Sequence, residues 1–265
     1  MRDCYINRKS LGIKGLLVII VLELKALSSN KHIVYQGILS PVLYFFFYSF
    51  GIKGTFGNII YKGMEVNYLT YSIIGIFAMS LFKEMYQCVY RMVTDRRWGL
   101  LSYKILNGVN IVYYILGIAT FPLIGVILQT TILYILACLF GGGFSAYCYL
   151  KVEGVLIIGV LFWTAVFACV SLLLKDYKIR DFVMNIVFLP VLFATPLFYS
   201  LEGSPQIIRI LANLNPLTYQ LEAMRNIVFG IDSYKYIIIN IIMAIIAFVI
   251  SNIVLQMTSF DSNDH

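Results

Sequence analysis

The chain has 265 residues, of which 60% are hydrophobic and 12% charged. That is about half the charge of a soluble domain, and with apolar runs along the whole length it excludes a water-soluble protein or a sizeable soluble domain. The net charge of +7 would point to nucleic acid in a soluble protein. In a membrane protein, topology and anionic lipid explain it better, so no nucleic-acid partner is expected.

Residues 1–10 are polar and read as frayed. Residues 11–31, LGIKGLLVIIVLELKALSSNK, have an apolar core flanked by Lys14, Glu23 and Lys25. The core is short against the roughly 20 apolar residues a crossing helix needs. This predicts an amphipathic helix along the cytoplasmic interface. The alternative, a short transmembrane helix, would invert every later loop. No signal peptide is expected, because LELKALSSN lacks a small-x-small cleavage site.

Six windows are long and apolar enough to cross: 33–52, 68–90, 111–140, 152–174, 182–200 and 235–257. Pro41 in the first and Pro122 in the third read as kinks. Pro190 and Pro196 in the fifth, FLPVLFATPLFYS, predict a bent helix, which either is a kink or shapes a pathway. Lys83 and Glu84 are the acid-base neighbours well inside a span, at about 2.5–3.5 kcal/mol each on insertion scales. Adjacent residues point about 100° apart, so each should meet another helix, a cavity or the interface. Snorkelling of Lys83 and lining of a pathway both fit.

After the second window comes TDRRWGLLSYKILNGVN. Asp95 is expected to cap a short helix with an apolar side of Trp98, Leu100, Leu101, Ile105 and Leu106, interleaved with basic Arg96, Arg97 and Lys104. It is either a basic loop anchored by Trp98 in the headgroups or a helix that docks a partner. Between the fifth and sixth windows lies SPQIIRILANLNPLTYQLEAMRNIVFG, Ser204–Gly230, too polar to span and too apolar for an ordinary loop. Asn215 and Pro216 split it into two helices, with Asn215 as cap and Pro216 at the first position of the second. Ile207, Ile208, Leu211, Leu214, Leu217, Leu221 and Met224 form an apolar side, and Glu222 can pair with Arg225. The hairpin should lie at the surface or dip partway in, as a plug, an exit gate or both.

With the N-terminus inside, Arg2, Arg8, Lys9, Lys14, Lys25, Lys31, Arg91, Arg96, Arg97, Lys104, Lys175, Lys178 and Arg180 fall on the cytoplasmic side. Outside are Lys53, Lys62, Lys151, Arg209, Arg225 and Lys235. The asymmetry predicts cytoplasmic termini. Cys4, Cys88, Cys138, Cys148 and Cys169 have no metal-site spacing. The chain has no P-loop and no H-E-x-x-H, and His32 and His265 are its histidines; no metal site, nucleotide site or catalytic set is expected. The absence of a visible internal repeat argues against a secondary transporter or channel, which is the alternative reading.

From about Leu22 to about Phe248 the chain resembles the ABC-2 type permease family, the membrane subunits of ATP-binding-cassette exporters. Three stretches carry the resemblance: LELKALSSNKHIVYQGILSPVLYFFFYSFG, SIIGIFAMSLFKEMYQCVYRMVTDRRWGLLSYKIL and PLFYSLEGSPQIIRILANLNPLTYQLEAMRNIVFG. In the last, Pro-Leu-Phe, Asn-Pro-Leu-Thr-Tyr (with Tyr219) and Glu222-x-x-Arg225 look like a C-terminal signature. The resemblance implies an all-α integral membrane fold: a single domain of six transmembrane helices, an N-terminal interface helix and an external re-entrant helical hairpin between spans 5 and 6. It implies residence in the cell membrane and pairing with a second permease subunit, the same or different. It also implies one ATPase subunit per permease, docked on the helix around Asp95 to Leu106, with ATP and magnesium held by that ATPase. The substrate class, drug, peptide, lipid or polysaccharide, stays open; the 20 Tyr and 19 Phe suit sugars and apolar drugs alike.

Overall fold

A computed structural model describes residues 11–51, 57–174 and 176–258. The expected frayed N-terminus with Arg2, Cys4, Arg8 and Lys9, and also Lys53, Lys175 and His265, lie outside the described residues. Helix α1 covers Ile13–Ser29, and α2, Lys31–Tyr44, runs on into a wider π-helical turn, Phe45–Phe50. A small antiparallel hairpin follows, β1 Asn58–Tyr61 and β2 Met64–Asn67. The remaining described elements are helices: α3 Tyr68–Arg97, α4 Leu100–Leu106, α5 Ile111–Ile118, α6 Thr120–Leu139, α7 Ala146–Leu173, α8 Tyr177–Ala194, α9 Gln206–Leu214, α10 Pro216–Phe229 and α11 Tyr234–Thr258.

Local chemistry sets many of these starts. The side chains of Asn67, Asn110, Ser145, Asp176 and Asn215 each accept a backbone N–H from the first turn of α3, α5, α7, α8 and α10. Those N–H groups would otherwise lack partners at a helix start. The 111–140 window is broken at Ala119 into α5 and α6, because Pro122 cannot donate to Ile118 four residues back.

Among the described residues, four helical stretches are long and apolar enough to cross a membrane: Lys31–Phe50, Ile111–Leu139, Ala146–Leu173 and Tyr234–Met257. The windows at 68–90 and 182–200 differ for two separate reasons. Every residue of α3 from Tyr68 to Phe82 is buried. Protein rather than lipid surrounds that helix, so it tolerates Ser72, Ser80 and Glu84 without a continuous apolar face. Helix α8 carries Lys178, Arg180 and Asp181 in its first turns and stops at Ala194. The bent helix expected through both prolines is thus half right. Pro190 lies inside α8, whereas Pro196 lies beyond it. Thr195, the residue before Pro196, is extended (φ −80°, ψ 132°), as steric conflict with a proline ring demands.

Contacts sort the loops to two ends of the bundle. At one end Thr70 bonds the Gly142 carbonyl (3.0 Å), Tyr71 the Tyr199 carbonyl (2.7 Å) and Tyr61 the Glu222 carboxylate (2.9 Å). At the other, Leu11 N–H bonds the Gly108 carbonyl (2.9 Å) and Arg91 pairs with Glu23. Helices α2, α3, α5–α6, α7 and α8 each run from one end to the other. Helix α1 buries Gly15, Ile19 and Glu23 and exposes Ile13, Leu17, Val21 and Leu24. Its close seat on α5 depends on Gly117, where an added Cβ would lie 2.4 Å from Ile19.

Candidate functional site

Three places hold the residues singled out in the sequence. The first is the corner between α3 and α4. Gly99 makes the turn with φ +67°, a conformation open mainly to glycine. Asp95 does not cap α4, as expected from sequence. It lies in the last turn of α3, pairs with Lys104 of α4 at 2.5 Å and accepts the Tyr114 hydroxyl of α5 at 3.0 Å. Helix α3 simply runs three residues further than the charged sequence suggests, so Gly99 occupies the cap position instead. Arg96 donates to the carbonyls of Ser171 (3.1 Å), Leu172 and Leu174 (3.2 Å). It neutralises the negative C-terminal end of α7 and fixes the corner to the bundle.

The outer face of the corner is different. Trp98 is 72% exposed and Tyr103 66%, beside exposed Arg97 and Leu100. Leu101 turns inward and is buried. Trp98 Nε1 donates to the Tyr177 hydroxyl (3.1 Å), and the Arg97 guanidinium lies 4.7 Å from the same ring. Arg180, read from sequence only as a topology charge, is buried under Tyr90 (4.5 Å) and Tyr177 (5.2 Å). It ties α8 into the same cluster, and no sequence pattern marked it.

The second place is mid-bundle. Glu84 accepts a hydrogen bond from Gln129 of α6 and sits between two glycines. A Cβ at Gly125 would approach its carboxylate to 2.8 Å and one at Gly37 to 3.2 Å. Glu84 has thus met another helix, as expected, while Lys83 beside it is half-buried.

The third is the segment from Pro196 to Gly230. Asn215 caps α10 through Leu217 N–H (3.1 Å) with Pro216 at its start, as expected. Its amide also donates to the Val191 carbonyl (2.6 Å) and the Thr195 hydroxyl (2.7 Å), gripping the end of α8. Tyr219 closes the α9–α10 turn on the Asn213 carbonyl (2.8 Å). The apolar side is divided. Leu217, Leu221 and Met224 of α10 are fully buried, whereas Ile207, Leu211 and Leu214 of α9 are exposed.

Glu222 and Arg225 do not pair. Arg225 is fully buried and donates to the Pro196 and Leu197 carbonyls, both at 2.8 Å, with its guanidinium 3.5 Å from the Tyr71 ring centre. Glu222 instead takes Lys62 at 2.8 Å and the Tyr61 hydroxyl. Both partners come from the β-hairpin, which sequence reasoning overlooked. Its signal was present: Lys62-Gly63 between NIIY and MEVN, a two-residue turn with φ of +50° and +75°. These groups line an open cavity of about 350 Å³ together with Thr218, Tyr219 and Tyr236.

Among the described residues, no group of three or more His, Cys, Asp or Glu could hold a metal ion. No curated protein matches the chain significantly. A profile of the ABC-2 type transporter family matches residues 15–229, which takes in the α3–α4 corner, the Glu84 site and the paired helices α9 and α10. The chain is a member of the ABC-2 type transporter family, a membrane transport component rather than a catalytic domain.

Proposed function

We propose that the chain is the permease subunit of an exporter that moves an amphipathic or lipid-linked cargo out of the cytoplasm, driven by a separate ATPase subunit. The observation that carries this is the α3–α4 corner. Its inner face is locked to α5 and α7 by Asp95, Lys104 and Arg96, while its outer face offers Arg97, Trp98, Leu100 and Tyr103. Exposed aromatic and apolar side chains at a rigid corner suit a docking surface. A push on that surface reaches α3, which is packed through the centre of the bundle.

In this reading, α2, α3, α5–α6, α7, α8 and α11 are six crossings in the cell membrane. The corner and both termini are cytoplasmic, and α9–α10 form an external re-entrant pair. The exposed apolar faces of α2 and α11 meet lipid or a second permease subunit. ATP and magnesium are held by the ATPase. Pro190, Pro196, Lys83 and Glu84 lie on or beside the path from the corner to the exit.

The test is a tagged purification in mild detergent with an ATPase assay. A stoichiometric ATPase subunit, hydrolysing faster than it does alone, is the expected result. A stable permease with no ATPase bound would overturn the proposal and favour a secondary transporter or channel.

A further inference from the structure

The Lys62 ammonium sits in an unusual place. It contacts the Glu222 carboxylate at 2.8 Å and the Asn226 amide oxygen at 2.8 Å, and lies 4.9 Å from the Tyr236 ring centre and 5.1 Å from that of Tyr61. Two aromatic faces, a carboxylate and an amide oxygen around one cation are the elements of an organic-ammonium site. The cage is preformed by other contacts. Asn226 is buried and bonds the Asp232 carbonyl, and Tyr61 is buried and donates to Glu222. Burial, with the charge of Glu222 beside it, holds the Tyr61 phenol far above its usual pKa, so it remains a donor.

Lys62 pays for its place with backbone strain. It is the non-glycine residue with positive φ among the described residues, at a turn position that favours Asn, Asp or Gly. Strain of this kind persists where side-chain contacts compensate it. The side chain is also free to leave: it is one-third exposed at the tip of a hairpin, against 12% for Glu222.

The space beyond the ammonium is the 350 Å³ cavity, far more than a lysine head needs. Thr218 lines it, and its hydroxyl is buried without a hydrogen-bond partner among the described residues. With Lys62 swung out, the charged side chains left lining the cavity are Glu202, Glu222 and Lys235, a surplus of one carboxylate.

We infer that this cavity is a binding site for an organic ammonium ion, and that Lys62 is its built-in competitor. The ammonium of the ligand replaces that of Lys62 between Tyr61, Tyr236 and Glu222, and a hydroxyl or carbonyl on the ligand meets Thr218. Such an ion can be a free amine or the headgroup of a lipid. Binding here needs neither nucleotide nor ATPase, so it stands apart from the exporter proposal.

The test uses the full chain and choline, measured by calorimetry in detergent at fixed ionic strength. Lys62→Asn keeps a residue suited to the turn and removes the competitor. If Lys62 fills the cage about nine-tenths of the time, its removal tightens choline binding about tenfold. Lys62→Gly should do the same, and adding Glu222→Gln should reverse the gain. The neutral isostere 3,3-dimethylbutanol should not bind. Choline binding that is absent, weakened or unchanged in both Lys62 variants would overturn the inference, as would equal binding of the isostere. Repeating the titration in nanodiscs separates the sources. Loss of choline binding in phosphatidylcholine but not in phosphatidylglycerol identifies a lipid headgroup, and equal binding in both identifies a free amine.

Discussion

Arg225 gives the sharpest test of how the segment after α8 is held. Its two bonds reach the carbonyls of Pro196 and Leu197, and the Leu197 carbonyl also presses on α3 at Gly75, where an added Cβ would lie 2.2 Å away. One guanidinium therefore joins α10, the chain leaving α8 and, through that carbonyl, the central helix. In Arg225→Met, two charge-assisted bonds of about 1.5–3 kcal/mol each are lost, with a desolvated cation–π contact of about 2 kcal/mol. Against this, a buried guanidinium no longer has to be stripped of water, which returns several kcal/mol. The net loss is about 2–4 kcal/mol.

At about 2–4 °C per kcal/mol for a chain of this size, the apparent melting temperature in detergent should fall by about 5–15 °C. Arg225→Lys should fall between, since a single ammonium cannot span two carbonyls as a planar fork does. Hydrogen exchange supplies the second readout, with faster exchange expected across residues 195–203. A variant that melts with the natural protein would refute the reasoning. So would one that melts early without faster exchange in that segment, because the loss would then be general and not that of a clamp.

Three further outcomes are expected. Gly99→Pro forces φ from +67° to about −65°, and Trp98→Asp puts a charge on the exposed corner; both should abolish ATP-driven transport while the protein still inserts, and undiminished transport would remove the docking role. Asn215→Ala removes a cap worth about 1 kcal/mol and the grip on Val191 and Thr195, so it should lower the melting temperature more than Asn213→Ala at its exposed neighbour; equal shifts would deny the grip. A double-mutant cycle of Asp95→Asn and Lys104→Met should show a coupling of about 1–3 kcal/mol, measured by thermal or denaturant unfolding, and additivity would mean that the corner is not locked through this pair.

The parts legible in the sequence were those with local causes. Asn215-Pro216 announced a break, a cap and a new helix, and all three are present because capping involves only neighbouring residues. The apolar windows located the helices, since burial in either lipid or protein demands apolar side chains. Partner choice was not legible. Glu222 and Arg225 have the spacing of a helix pair, but spacing gives reach and not preference. Arg225 finds two carbonyls that the proline at 196 leaves outside any helix, and Glu222 finds a lysine 160 positions earlier in the chain. The Asp95 cap was misplaced because the same sequence fits a cap or a last turn, and the contacts to Lys104 on the next helix and to Tyr114 beyond it decided it. Position in the bundle was equally hidden. Helix α3 is less apolar than α11 yet far more buried. In a soluble protein the most apolar helix would be the central one. Here the lipid-exposed helices must be the most apolar, and the central one is free to carry polar groups such as Glu84. The polar residues of α3 and of the 61–71 and 215–226 segments are therefore where mutation should be most informative about transport.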